Sequence, residues 1–140
     1  MDRPLIEHKL ESLRRCLVRI RNKCPATAAA LSQDPDAQDI VSLNLTRAVQ
    51  LCVDIATHML ADTAVAPPQN MAETFTRLAE SGVIDADLGA QLRRAVGFRN
   101  VAVHRYRDID WQIVHAIAHT HLEVFTVFAR RVHDHAMRST

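Results

Sequence analysis

The chain has 140 residues, of which 48% are apolar and only 4% aromatic, and its formal net charge is +1. A chain of this length can bury the core of a single domain, here residues 1–140, and the near-neutral charge excludes a tail that binds polyanions along its whole length. With so few glycines and aromatic residues, the composition favours helices over sheets.

The first predicted helix runs from Pro4 to about Lys23. Proline suits the first turn of a helix because the N–H group that it lacks would be unbonded there. Apolar residues recur in this segment at three- and four-residue steps, which marks one buried face. These residues are Leu10, Leu13, Leu17 and Ile20. The CPATAAAL segment that follows either kinks this helix or adds a further turn.

The second predicted helix begins at Asp34 and Pro35 and ends near Asp62. Asp34 can accept hydrogen bonds from the first free N–H groups, and Pro35 suits the first turn. The apolar positions again lie three or four residues apart. The double proline of the next segment, TAVAPPQN, cannot continue a helix, so a loop is expected there.

Three further helices are predicted after this loop. Asn70 and Glu73 resemble a capping box at the start of a short helix. Asp85 can cap a fourth helix, and either Asp108 or Asp110 can cap a single last helix. There is no internal repeat and no alternation typical of strands. We therefore predict an all-α protein, an up-and-down bundle of four main helices plus a short one.

The cysteines and the first residues indicate where the protein resides. None of the three cysteines stands in a CxxC pair, which is typical of a reducing compartment. The N-terminal residues lack the apolar core of a signal peptide, and no run approaches about 20 apolar residues. We expect a cytoplasmic protein that does not span a membrane.

The end of the fourth helix, GFRNVAVHRY, gathers many hydrogen-bonding side chains among small apolar ones. A helix turns by about 100° per residue, so Arg99 and His104 point about 140° apart, whereas Asn100 and His104 stack. Two helices crossing near Gly97 would bring Arg99 of one chain to His104 of another, in a composite site on a two-fold axis. Alternatively, the helix ends before His104 and a loop swings it back. A third reading is an ordinary polar helix end with Asn100 as its cap.

Two other polar groups along the chain are candidate sites. His115 and His119 are four residues apart, a spacing that can bind zinc. Because no third ligand stands at a recognised spacing, we expect a solvated or interface face there, with no metal and no other cofactor. Asp54 and His58 share one face of the second helix, and form either a polar stripe or an ion pair with an arginine of the fourth helix.

A resemblance to a known family favours a functional motif over an ordinary polar helix end. FRNVAVHRY resembles the signature of HEPN-domain proteins, and more closely the R-x4-H-x-Y form of HepT-like toxins. The likeness extends over about Asp39–Val114 and includes the second helix, the proline loop and the short helix. It implies a HEPN-like homodimer that acts as a metal-independent ribonuclease, with its site at the dimer interface. Carried over, the catalytic residues are Arg99, Asn100 and His104.

The chemistry that the resemblance implies suits these residue types. Arg99 would hold the scissile phosphate, and His104 would move the protons for attack by the 2′-hydroxyl of RNA. Asn100 would orient the phosphate or the histidine ring. Positive charges beside the motif are expected to attract RNA. These charges are Arg94, Arg105 and Arg107.

The resemblance also implies a protein partner. HepT-like toxins are paired with an MNT-type nucleotidyltransferase antitoxin, which transfers AMP from ATP to the motif tyrosine, here Tyr106. Two alternatives remain: a non-catalytic HEPN module that serves as a binding or scaffold partner of the transferase, and a helical bundle of unrelated role. The intact pair of Arg99 and His104 favours the toxin, although a protein can keep a fold and a motif after its activity has been lost.

Overall fold

The computed structural model describes residues 2–138, and these residues form helices and no strand, which confirms the predicted all-α class. The helices are α1 (Arg3–Lys23), α2 (Ala28–Ser32), α3 (Pro35–Leu60), α4 (Met71–Glu80), α5 (Ala86–His104), α6 (Trp111–Thr120) and α7 (Glu123–Arg138), with one 3-10 turn at Tyr106–Asp108. The ends of the predicted 1–140 domain, residue 1 and residues 139–140, lie outside the described residues.

Short polar side chains begin the helices where the sequence predicts them. Asp34, Asn70 and Asp85 each accept a hydrogen bond from the backbone N–H three residues ahead, at 2.7–3.1 Å. Of the two candidates for the next cap, it is Asp110 that starts α6, since its Oδ1 accepts from the backbone N–H of Gln112 at 2.9 Å. Each bond satisfies an N–H group that the helix itself leaves unbonded.

The CPATAAAL segment forms a separate turn of helix and does not kink α1. Cys24 ends α1 in an extended conformation, with ψ at 124°. The proline that follows, Pro25, disfavours the helical region for the residue before it, which explains where α1 stops. Thr27 then starts α2, because its Oγ1 accepts a hydrogen bond from the backbone N–H of Ala30 at 3.1 Å.

The prediction of a single last helix is wrong, since α6 and α7 are separated at His121 and Leu122. The N–H of His121 still donates to the carbonyl of Ile117 at 3.1 Å, but the N–H of Val124 donates to the carbonyl of His121, a tighter three-residue step. Buried positions continue across the break at Leu122 and Phe125. Because the apolar spacing is uninterrupted, periodicity alone does not reveal the break.

The core forms where α1 packs along α3 and where α4 packs on α5. Phe75 of α4 meets Phe128 of α7 edge to face, with ring centroids 6.1 Å apart, so that the two ends of the bundle share one core. Gly89 allows α5 to approach α4 closely, because a Cβ there would lie 3.3 Å from the carbonyl oxygen of Phe75. This packing fixes α5, which carries the polar motif at its far end.

Among the described residues, α3 is the one helix that is both long and apolar enough to be compared with a membrane span. Its length and a mean hydropathy of 1.2 over one 18-residue window would suffice to cross a bilayer. However, 56% of that window is buried inside the fold, which is the pattern of a core helix.

Candidate active site

Helix α5 stays regular through the polar motif and ends only at His104. The backbone N–H of Arg105, the C-cap residue, donates to the carbonyl of Val101 at 2.8 Å and closes the last turn. The alternative in which the helix ends before His104 is therefore wrong. On a regular helix Arg99 and His104 point about 140° apart, so they do not meet within one chain.

Arg99 and Asn100 form a pair in the middle of the motif. Nη1 of Arg99 donates to Oδ1 of Asn100 at 3.2 Å. Nε of Arg99 is buried and has no hydrogen-bond partner among the described residues, although a buried donor is normally satisfied. The alternative of Asn100 as a helix cap is wrong, because Arg105 occupies that position. The pair therefore sets a half-buried guanidinium and an exposed amide side by side.

His104 lies exposed at the last position of α5, and no hydrogen bond joins its ring to another of the residues that the structure describes. Val103 beside it is 48% exposed. The imidazole is thus accessible to a ligand or to water.

Tyr106 lies in the 3-10 turn after α5 and reaches back to the start of α3. Its hydroxyl donates to Oδ1 of Asp39 at 2.6 Å, and its ring meets Trp111 edge to face, with centroids 5.9 Å apart. Partial burial, and next the hydrogen bond to Asp39, raise the pKa of Tyr106 above its usual value, while the hydroxyl of Ser42 acts in the opposite direction. The phenol is therefore a neutral donor held in one orientation.

Asp39 is a site residue that the sequence reasoning missed. Its position near the start of α3 indicates by itself only that it favours the positive end of the helix dipole. It lies in the second turn of α3, on an exposed face of that helix, 67 positions before Tyr106 in the chain. Neither periodicity nor motif spacing links residues so far apart. Its place at the first residue of the segment resembling HepT-like toxins was the one available signal.

A hollow of about 700 Å³ runs along one side of α5, between that helix and α6. Gly97 and Val101 line it from α5, and Ile113 and Ile117 line it from α6. Gly97 is exposed, and a Cβ there would meet no atom within 4 Å. Among residues 2–138, therefore, nothing beyond its own helix backbone and chain neighbours lies within 4 Å of that position. Ile113, which is 57% exposed, makes the rim of this hollow apolar.

The three arginines expected to contact RNA are all exposed around the motif. Arg94 lines the hollow beside α5, Arg105 caps the helix, and Arg107 lies in the turn after it. Asp108 and Asp110 line the same hollow and oppose this positive charge. The two carboxylates therefore offset part of the positive charge around the motif.

The other polar groups lie apart from the motif. Asp54 forms an ion pair with Lys9 at 3.6 Å and accepts a hydrogen bond from Gln50, so it does not pair with an arginine of α5. His115 and His119 stack on each other with ring centroids 4.2 Å apart. They lie on the face of α6 that is turned away from the hollow. The side chains of His115 and Ile117 point about 160° apart around the helix axis.

Comparison with known proteins places this arrangement in a family. The profile of the family described as Ribonuclease HepT-like matches residues 10–132. The chain is 36% identical to the mRNA nuclease HepT of Shewanella oneidensis over 124 residues, which cover 89% of this chain and 92% of that protein.

Two solved structures are similar over nearly the whole fold. One is a toxin–antitoxin with AMP-PNP, with 33% identity and a TM-score of 0.88, covering 94% of this chain and 98% of that chain. The other is the tri-AMPylated Shewanella oneidensis HEPN toxin in complex with the MNT antitoxin, with 34% identity and a TM-score of 0.87, covering 96% and 99%. The predicted HEPN-like architecture is confirmed by these matches.

Proposed function

The chain belongs to the HepT-like ribonuclease family, and from that premise we propose how it acts: Arg99 and His104 cleave RNA without a metal ion, and AMP transfer to Tyr106 stops them. Membership makes it an endoribonuclease and the toxin of a toxin–antitoxin pair that AMPylation neutralises. One observation carries the site assignment. Every position of the R-x4-H-x-Y motif is filled, at the accessible end of α5.

The proposed reaction uses the nucleophile that RNA itself carries. The 2′-hydroxyl attacks the adjacent phosphorus, the bond from phosphorus to the 5′-oxygen breaks, and a cyclic phosphate and a free 5′-hydroxyl result. A histidine is suited to take the first proton and to supply the second, since its ordinary pKa is about 6.5. His104 performs this transfer. Arg99 offsets the charge that builds on the phosphate, and Asn100 holds the Arg99 guanidinium in place.

The site is shared by two chains. Arg99 and His104 diverge on a regular α5, so a single chain does not aim both at one phosphate. The hollow beside α5 has an apolar rim, and Gly97 leaves space there for a second helix to approach. A two-fold axis near Gly97 would set Arg99 of each protomer facing His104 of its partner. The protein is accordingly proposed to act as a homodimer that binds RNA through Arg94, Arg105 and Arg107.

An MNT-type nucleotidyltransferase antitoxin is the proposed partner, and Tyr106 is its target. The phenolic oxygen attacks the α-phosphorus of ATP, pyrophosphate leaves, and the phenolic proton passes to a base. Asp39 already accepts a hydrogen bond from this hydroxyl at 2.6 Å and is placed to orient it. The added AMP brings negative charge beside Arg99 and Arg105, where it competes with RNA phosphate.

The cytoplasm is the proposed location of both proteins. The three cysteines are free thiols, which a reducing compartment maintains. RNA and ATP are also present there.

Purified, tag-free protein incubated with RNA and EDTA tests the nuclease. The wild-type protein is expected to cut, and Arg99→Ala and His104→Ala are each expected to lower the rate by roughly a hundredfold or more. Matched controls are Arg131→Ala and His133→Ala, which remove exposed side chains of α7 and should leave the rate unchanged. Folded wild-type protein that never cuts RNA would favour the non-catalytic scaffold.

Intact mass measured after incubation with the nucleotidyltransferase and ATP tests the modification. Wild-type protein is expected to gain one or more AMP units, and Tyr106→Phe none. The chain contains a single tyrosine, so no other phenol can take its place. AMP units that persist on Tyr106→Phe would refute this assignment and would leave the proposed nuclease activity uncontradicted.

A further inference from the structure

Three metal-binding side chains meet where the end of α1 passes α6. Cys24 caps α1, and His115 and His119 stand one turn apart on α6. One ligand atom from each, the thiol sulfur and two ring nitrogens, lie within 4.8 Å of one another. The sequence predicts no metal here because no third ligand stands near the two histidines. The fold supplies that ligand from the opposite end of the chain.

The two histidines are already aimed at one point. Their rings stack at 24° to each other, and both Nε2 atoms lie close to the carbonyl oxygen of Pro25, at 3.0 Å for His115 and 2.9 Å for His119. Pro25 directly follows Cys24. The backbone that holds the imidazoles together therefore also brings the thiol to them. Because a carbonyl oxygen only accepts hydrogen bonds, each Nε2 carries its proton here, and an ion that binds that atom must displace the proton and the contact to Pro25.

The spacing of these atoms suits a tetrahedral ion. Bond lengths of about 2.0–2.3 Å to nitrogen and sulfur place neighbouring ligands of zinc about 3–4 Å apart. The present spacing, within 4.8 Å, is slightly wider than that value. Thiolate and imidazole together select zinc and similar late transition metals over magnesium or calcium.

An ion can enter the cluster, and a fourth position remains open. Cys24 and His119 line a hollow of about 440 Å³ that opens to solvent. Glu123, at the start of α7, lines the same hollow and offers a carboxylate. Arg21 and Arg130 lie there too, and a thiolate with a carboxylate would offset their charge.

We propose that Cys24, His115 and His119 bind a zinc-class divalent ion, with the fourth position taken by water or by Glu123. The ion joins the C-terminal end of α1 to α6 and so fastens the α1–α2 connection onto the bundle. The cluster lies on the face of α6 opposite to Ile113 and Ile117, away from the proposed nuclease site. Its role is structural, and RNA cleavage does not pass through it.

Cobalt titration of the reduced, tag-free, full-length protein provides the test. One equivalent of Co²⁺ is expected to produce the visible bands of a tetrahedral ion together with sulfur-to-cobalt charge-transfer absorption, and Zn²⁺ should remove both. Cys24→Ser should lose the charge-transfer absorption. His115→Asn and His119→Asn should each bind at least about tenfold more weakly. His133→Asn, which changes an exposed histidine of α7, is the matched control. Glu123→Gln reports on the fourth ligand.

Thermal unfolding gives a second readout. Excess Zn²⁺ should raise the Tm of wild type and of His133→Asn but not of Cys24→Ser, because an ion that binds only the folded state stabilises it. Equal cobalt spectra for wild type and Cys24→Ser would overturn the proposal, as would the lack of any charge-transfer band. Serine is nearly isosteric at this half-buried position, and the exposed His119 provides a variant that leaves the core intact. The rate of RNA cleavage in EDTA tests the proposed nuclease separately, so neither proposal depends on the outcome for the other.

Discussion

Two polar groups in this molecule differ in the spacing of their members along a helix. His115 and His119, four residues apart, converge on one carbonyl oxygen within a single chain. Arg99 and His104, five residues apart, point about 140° away from each other on a helix that is regular to its end. One added residue thus separates a pair that converges within one protomer from a pair that, as we propose, a second copy completes.

The largest expected effect comes from mixing two inactive variants. In a heterodimer of Arg99→Ala and His104→Ala, one of the two composite sites keeps both residues, because each chain supplies the residue that the other lacks. Activity should return from near zero to about one quarter of the wild-type rate, since half of the dimers are mixed and each has one intact site. RNA cleavage by co-refolded chains measures it.

The control for this mixing experiment is the double variant Arg99→Ala/His104→Ala combined with wild-type chains. Its heterodimers contain one intact and one lost residue at each composite site, so only the wild-type homodimers should cut. The reverse outcome, with mixed single variants inactive and the control mixture retaining half of the rate, would show that each chain carries its own complete site.

A smaller effect is expected from filling the space at Gly97. A Cβ at Gly97 would meet no other part of the described chain within 4 Å, so the Gly97→Leu protomer should fold, but its side chain would project into the proposed contact between copies. We expect a shift towards monomer and a loss of RNA cleavage of roughly tenfold or more, since overpacking a well-packed contact costs about 1–3 kcal/mol. Light scattering after size exclusion, with the cleavage rate, checks both.

The comparison variant for Gly97→Leu is Gly97→Ala, which adds only a methyl group and improves helix propensity by about 1 kcal/mol. It should keep the dimer. A Gly97→Leu protein that remains dimeric and fully active would show that Gly97 does not lie in the proposed interface.

The smallest expected effect concerns the phenol of Tyr106. Its pKa is raised by burial first and by Asp39 next, so Asp39→Asn should lower the titration midpoint without returning it fully to the ordinary value of about 10. Because the folded state favours the protonated phenol, this stabilisation is present below the ordinary pKa and is lost as the pH rises through the raised one. Tyrosinate absorbance of the single tyrosine measures the midpoint.

Asp36→Asn is the control for this titration, since Asp36 is an exposed carboxylate in the first turn of the same helix. It should leave the midpoint unchanged. Equal midpoints for wild type and Asp39→Asn would mean that the hydrogen bond does not hold the phenol in solution.

Local chemistry was sufficient to predict most of the fold. Asp34, Asn70 and Asp85 begin helices where a short polar side chain precedes an apolar repeat, and such a signal needs no distant partner. The break between α6 and α7 escaped prediction because the buried positions continue across it. Gly89 was also missed, since its role depends on the approach of α4.

The candidate site likewise contains residues that the sequence could predict and residues that it could not. Arg99, Asn100, His104 and Tyr106 could be chosen from the sequence because they lie within eight residues and resemble a known motif. Partners that come from far along the chain could not be seen, since only the fold brings them together. Asp39 beside Tyr106 is one such partner, and Cys24 beside His115 is another.

The contact between Tyr106 and Trp111 has an optical consequence. The chain contains one tyrosine and one tryptophan, and their ring centroids lie 5.9 Å apart. At this distance excitation of the phenol passes readily to the indole, whose emission responds to its immediate surroundings. Attachment of a nucleotide to the phenol would alter both. The native protein thus carries an unlabelled fluorescent reporter, and its inactivation can be followed continuously in a cuvette.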